Sequence, residues 1–333
     1  MKTKIRIIAI AAALAMMLGI LAACGSGAGP ALEDLVDNTS FQDGQEVIID
    51  YSARTVPLSA YPPGGFEIQM PEASGEKVEK NAKAEIDYSN SADGYVMIRF
   101  LQEAKTALAV RITNPNDESY IYTLTGDGSF EVYPLSGGDG TYTIGVFEQV
   151  EGSRFSVANS VKIEVELADE FAPFLRPNQF VNYNADSNVV ALAAELVDGH
   201  SEVTDIISEV YNYMIHNISY DRELARTVTS GYIPDLDDVL ERGQGICFDY
   251  AAVMTAMLRS QGIPTRLVFG YTGNVYHAWI DVFSEETGWV NAAVFFDGET
   301  WSLMDPTFAA GALQAANKQF IGDGDNYTAK HLF

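Results

Sequence analysis

Cysteine is almost absent from this chain: two occur in 333 residues, Cys24 and Cys247. A scaffold stapled by several disulfides is therefore excluded. Histidine is nearly as scarce, with four, and cations are outnumbered, 20 Lys and Arg against 46 Asp and Glu for a formal net charge of −26. Lys2, Lys4 and Arg6 are among those cations, so the chain beyond its start is more acidic still. Such a field repels nucleic acid and anionic lipid headgroups, which argues against both as partners. The N-terminal apolar run, Ile7 to Leu21, is about 15 residues, short of the roughly 20 that span a bilayer. Short ligand pairs of the kind that hold zinc are missing too, and no metal or other cofactor is expected. What remains is ample: 47% of the residues are hydrophobic, and roughly 300 residues past the start suffice for two domains.

The N-terminus has three parts, namely a positive stretch, an Ala-rich apolar stretch and a small-residue cleavage site. Leu21-Ala22-Ala23-Cys24 resembles the lipobox of bacterial lipoproteins, which implies lipid attachment at Cys24 after removal of residues 1–23. Residues 24–44, opening with Gly25-Ser26-Gly27-Ala28-Gly29-Pro30, read as a flexible tether. The implied location is the extracytoplasmic face of the cell membrane, reached through the lipid anchor. With Cys24 consumed, Cys247 has no disulfide partner, and a lone thiol in an exported protein calls for a reactive role.

Residues 45–168 read as short strands separated by turns. Candidates are Ala84–Tyr88, Tyr95–Phe100, Leu108–Thr113, Ile121–Leu124, Phe130–Tyr133, Tyr142–Gln149, Arg154–Val157 and Val161–Leu167, with Gln45–Ser52 as a possible edge strand. Alternation is clear in Val161-Lys162-Ile163-Glu164-Val165-Glu166. Asp127-Gly128 and Asp139-Gly140 supply turn chemistry. The spacing favours a β-sandwich of immunoglobulin-like type, a spacer or binding module. It holds neither histidine nor cysteine.

A linker, residues 169–185, leads to a second region, 186–333, of different texture. Asp186 or Ser187 can cap a helix through Val197, and Ser201 one from Glu202 to about His216 with Val203, Ile206, Ile207, Val210 and Met214 on one face. Asp235 can cap a short helix ending near Arg242. Gly243-Gln244-Gly245 then breaks the chain before a helix from Cys247 to about Arg259, stopped by Gly262 and Pro264. Strands follow at Thr265–Tyr271, His277–Ser284, Trp289–Phe296 and Trp301–Asp305. Helices first and antiparallel strands after make an α+β pattern.

Cys247 at a helix start is the centre of the chemical argument. Unpaired N–H groups and the helix dipole favour thiolate there. His277, opening His277-Ala278-Trp279-Ile280-Asp281, is the candidate base, and Asp305, before Pro306, the candidate carboxylate that orients it. An oxyanion hole needs two donors; the Cys247 N–H is one, and Gln244 is a candidate for the other. Asp249 reads as a first-turn acid favoured by the dipole, and His331 as part of the tail. Trp279, Trp289 and Trp301 read as core.

Gly243-Gln244-Gly245-Ile246-Cys247-Phe248-Asp249-Tyr250-Ala251, Leu258–Arg266, Tyr276-His277-Ala278-Trp279 and Asp305-Pro306-Thr307 together resemble the bacterial transglutaminase-like superfamily. That resemblance implies a papain-like fold, a Cys-His-Asp triad at Cys247, His277 and Asp305, and acyl transfer on peptide or protein amides at the cell surface through a thioester resolved by water or an amine. Tyr220, in Ile218-Ser219-Tyr220-Asp221, resembles the position where related enzymes place a donating aromatic side chain, which favours it over Gln244 as the second oxyanion donor. Members include cross-linkers, peptidases and amidases, so fold alone does not choose among them. The competing reading is a catalytically inactive cell-surface binding or scaffold protein.

Overall fold

A computed structural model describes residues 66–200, 202–272, 275–284, 288–291, 294–296, 301–303 and 327–333. Cys24, Gln45–Ser52 and Asp305 lie outside the described residues.

The first unit is all-β. Its strands are β1 (Val78–Lys80), β2 (Ala84–Asp87), β3 (Tyr95–Phe100), β4 (Leu108–Thr113), β5 (Ser119–Leu124), β6 (Glu131–Pro134), β7 (Gly140–Glu151) and β8 (Arg154–Val165). They form two four-stranded antiparallel sheets, ordered β1-β2-β3-β6 and β5-β4-β7-β8. Every second residue turns inward: Val96, Ile98 and Phe100 from one sheet meet Val110, Ile112, Ile144 and Val146 of the other in a common core, as period-two strands require. Asn159 of β8 donates to the carbonyls of Glu79 and Ala84, both at 3.1 Å, stitching the two sheets together. The strands expected at Arg154–Val157 and Val161–Leu167 are one continuous strand, whose register with β7 shifts at Val146/Phe147. Both aspartates expected in turns serve there, Asp127 accepting from the Ser129 N–H at 2.7 Å and Asp139 from that of Leu167 at 2.8 Å.

The segment joining the two units is packed. Phe171, Phe174, Val181 and Tyr183 are buried, and the Phe174 ring meets Trp289 edge-on at 5.3 Å.

The second unit begins with helices α1 (Asn188–Leu196), α2 (Val203–Asn217), α3 (Arg222–Thr227) and α4 (Leu236–Arg242), then α5 (Cys247–Ser260). Ile206, Val210 and Met214 of α2 are fully buried, on the face the sequence indicates. α3 was not expected; Asp221 starts it by accepting from the Leu224 N–H at 2.8 Å. Asp235 caps α4 through the Asp238 N–H at 3.1 Å.

Two short strands, β9 (Ser219–Tyr220) and β10 (Gln244–Gly245), lie among the helices, and after α5 come β11 (Thr265–Thr272), β12 (Val275–Ser284), β13 (Gly288–Asn291) and, later, β16 (Tyr327–Leu332), which form a four-stranded antiparallel sheet ordered β13-β12-β11-β16. β14 (Val294–Phe296) and β15 (Trp301–Leu303) pair separately. β16 corrects the reading of His331 as tail: that residue lies in the sheet, opposite Phe269. α5 is apolar enough to be buried along its whole length, and it packs on β11 and β12.

Candidate active site

The turn that delivers Cys247 is built from short-range chemistry. Gly243 ends α4 in the left-handed conformation, φ 61°, which glycine adopts without a Cβ penalty. Gln244–Gly245 (β10) then pairs in parallel with Ser219–Tyr220 (β9), Gln244 opposite Ser219 and Gly245 opposite Tyr220. The Asp221 N–H donates to Gly245 O at 2.8 Å, and the Tyr250 hydroxyl donates to the Ile218 carbonyl. These bonds hold the 218–221 strand against the start of α5, and Cys247 is the first residue of that helix, its side chain buried.

Beneath the turn lies a carboxylate whose role the sequence does not reveal. Asp249 is fully buried. Its Oδ2 accepts from the Ile246 N–H at 2.8 Å and its Oδ1 from the Tyr232 hydroxyl at 2.6 Å. Burial raises its pKa above the ordinary carboxylate value, against the lowering pull of Tyr232, the Ile246 N–H and Arg242. The acid at the third helical position is visible in the sequence; Tyr232, seventeen residues upstream, carries no local signal.

His277 sits in β12, buried, opposite Gly270 of β11. Alternation puts Trp279 and Asp281 on its side of the strand, while Ala278, Ile280 and Val282 join the core shared with α5. The Trp279 ring lies 6.4 Å from the imidazole at 22°, and that of Tyr327 6.4 Å away at 59°. Asp281 is buried, and desolvation pushes its carboxyl up to about 6, opposed by Arg266 and by a hydrogen bond from Trp279. Arg266, across from Asp281 in register, spreads its guanidinium over the Trp289 ring at 3.6 Å.

Of the residues singled out from sequence, Cys247 and His277 stand on α5 and β12, two elements packed together. Tyr220 and Gln244 stand on the parallel bridge leading into α5, Tyr220 half-buried and Gln244 exposed. Among the described residues no group of three His, Cys, Asp or Glu side chains could hold a metal ion. No helix among them is long and apolar enough to cross a membrane.

Residues 190–306 match the family model of the transglutaminase-like superfamily. This part of the chain is a transglutaminase-like domain. An uncharacterized protein, YebA, from Bacillus subtilis is 31% identical over 122 residues, 31% of this chain and 16% of that protein. A protein-glutamine gamma-glutamyltransferase of Pseudomonas aeruginosa is 29% identical over 117 residues, 30% of this chain and 17% of the other. The chain thus spans only 16% and 17% of the curated relatives it matches. The periplasmic domain of TgpA from Pseudomonas aeruginosa aligns with 75% of this chain and 81% of its own, at 18% identity and a TM-score of 0.33.

Proposed function

We propose that the protein is a lipid-anchored, extracytoplasmic cysteine acyl-transfer enzyme acting on peptide or protein amides. Cys247 is the nucleophile, His277 the general acid–base and Asp305 the group that orients the imidazole. The thiolate adds to the amide carbonyl carbon, and the oxyanion that forms takes hydrogen bonds from the Cys247 N–H and from Tyr220 or Gln244. The imidazolium returns its proton to the departing amine as the C–N bond breaks and leaves a thioester. Water or a second amine then attacks the thioester, His277 takes its proton, and the thiol is restored.

The observation that carries this reading is the placement of Cys247. It opens a buried helix, where unpaired N–H groups and the dipole stabilise an anion, and the helix rests on the strand bearing His277. Bulk water is plentiful, so transfer to an amine needs a site that excludes it. Lipid attachment at Cys24, through the lipobox-like Leu21-Ala22-Ala23-Cys24, places the enzyme at the outer face of the membrane.

We read the first unit as an immunoglobulin-like domain that presents or binds the substrate protein. The support is its sheet order, and Tyr142 near the start of β7, whose hydroxyl donates to the Gly138 carbonyl at 2.8 Å. A tyrosine bonded back to the preceding corner is a hallmark of that sandwich.

Incubating the purified protein with peptide libraries, with and without a primary amine, tests the reaction. Mass changes at glutaminyl, asparaginyl or backbone amides distinguish deamidase, cross-linker and peptidase. Cys247→Ala is expected to fold and to lose turnover; turnover near wild type rejects the nucleophile.

A further inference from the structure

The described residues hold one buried carboxylate against the nucleophile's turn that the proposed chemistry does not use. A buried acid is costly unless its oxygens are satisfied, and those of Asp249 are spent on the turn that leads to Cys247. Oδ2 takes the Ile246 N–H at 2.8 Å and Oδ1 the Tyr232 hydroxyl at 2.6 Å. The Arg242 guanidinium stands 3.7 Å from Oδ2 and 3.4 Å from the Tyr232 hydroxyl. Gly245 completes the unit, because a Cβ there would lie 2.6 Å from Cβ of Asp249. Tyr232 also meets the Phe248 ring edge-on at 6.1 Å, so it clasps both residues that follow the thiol.

The geometry points to Asp249 as a positioning residue for the nucleophile: with Tyr232 it locks the 245–247 turn so that the Cys247 thiol and N–H address one carbonyl. The inference rests on the acyl-transfer reading above. Holding the Ile246 N–H fixes the plane of the peptide before Cys247, and with it the direction of the donor next in line. Charge acts in the opposite sense. An anion buried beside the thiol opposes thiolate formation, and the groups around it are Arg242 and Asp238 of α4, Asp221 at the start of α3, Tyr232 and Tyr250.

Because position and charge pull apart, two substitutions separate them. Asp249→Asn keeps an oxygen for the Ile246 N–H and offers an NH₂ to Tyr232, but removes the charge. Asp249→Ala removes both. For full-length wild type, these two variants and Tyr232→Phe, the experiment measures kcat and KM for a short glutaminyl peptide with hydroxylamine as the acceptor, and the pH midpoint of Cys247 alkylation by iodoacetamide, with circular dichroism to verify folding. Asp249→Ala is expected to lose kcat by about 30-fold with KM little changed, since a small misplacement of reacting groups costs on this scale. Asp249→Asn should keep kcat within about threefold while its alkylation midpoint falls by about one pH unit, from loss of a nearby charge. Tyr232→Phe should lie between wild type and Asp249→Ala in kcat. A folded Asp249→Ala with wild-type kcat overturns the inference. So does an Asp249→Asn with an unmoved midpoint and kcat as low as that of Asp249→Ala. Should Asp249→Ala fail to fold, Asp249→Asn and Tyr232→Phe carry the same comparison. Failure of the acyl-transfer reading shows separately, as turnover surviving Cys247→Ala, and the alkylation midpoint still judges Asp249 by itself.

Discussion

Several side chains in this protein are buried with a charge or a polar atom that burial would ordinarily forbid, and each marks a junction. Arg259 is fully buried, and its guanidinium is answered by three main-chain oxygens, Thr265 O at 2.8 Å, Arg176 O at 2.8 Å and Phe333 O at 2.6 Å. Desolvation draws its pKa down to about 10. His331 is similar on a smaller scale: burial, and then Lys330, lower its pKa to about 4, and its Nδ1 has no hydrogen-bond partner among the described residues. Its folded value lies below the ordinary imidazole value of 6.5, so the fold binds the neutral ring. That contribution is complete above pH 6.5 and is lost as pH falls toward about 4,. Because the ring is only part-buried, about 1–2 kcal/mol is expected, less than the full shift would give. Urea midpoints at pH 7 and pH 4.5 should show a smaller acid loss for His331→Gln than for wild type. An equal loss in both would remove His331 from the account.

At the scale of elements, capping chemistry was legible in part: Ser187 precedes α1 without capping it through its side chain, and Asp237 of α4 takes the Asn188 and Val189 N–H groups instead, both at 2.9 Å. Asp235 stands at the start of α4 as its type suggests, with its side chain on the Asp238 N–H. Asp235→Ala should therefore cost about 1 kcal/mol, read as a drop in melting temperature with kcat unchanged, because Asp235 is exposed and remote in role from the thiol. The start of α5 at Cys247 was equally plain, since Gly243-Gln244-Gly245 breaks the chain just before it. Elements without a local signature were not legible. β1 is three residues, Val78-Glu79-Lys80, too short for alternation to show. α3 has one fully buried residue, Ala225, and no apolar stripe. β16 is Tyr-Thr-Ala-Lys-His-Leu, and only its pairing with β11, about sixty residues earlier, makes it a strand. The site divides in the same way. Cys247 and His277 lie in compact sequence blocks, whereas the Asp249–Tyr232 bond joins the helix to a loop and follows from no spacing rule.

The whole molecule is held together by a seam that neither half's sequence announces. Leu332 and Phe333 run beside β5: the Ser136 hydroxyl donates to Leu332 O at 2.7 Å, and the Leu332 N–H donates to the Tyr120 hydroxyl at 3.4 Å. The Phe333 ring meets Tyr120 at 5.4 Å, Tyr122 at 5.7 Å, Phe180 at 4.8 Å and Phe269 at 5.4 Å. Phe180 and Phe269 in turn touch Phe248, the residue after the thiol, at 5.9 Å and 4.9 Å. Through two rings, then, the β-sandwich is in contact with the first turn of α5. Phe333→Ala empties the centre of this cluster, and a buried phenylalanine truncated in place costs about 3–5 kcal/mol. The loss falls on the joint between the units, since Phe333 touches both. Calorimetry should therefore replace one cooperative transition of the wild type with two, the lower from the transglutaminase-like domain, which loses ring contacts beside its nucleophile helix. A single transition merely shifted down would mean that the Gln179 bond to Thr123 O at 2.7 Å and the Arg176–Asp93 ion pair at 3.4 Å, with Arg176 O held by Arg259 at 2.8 Å, suffice to keep the two units melting as one.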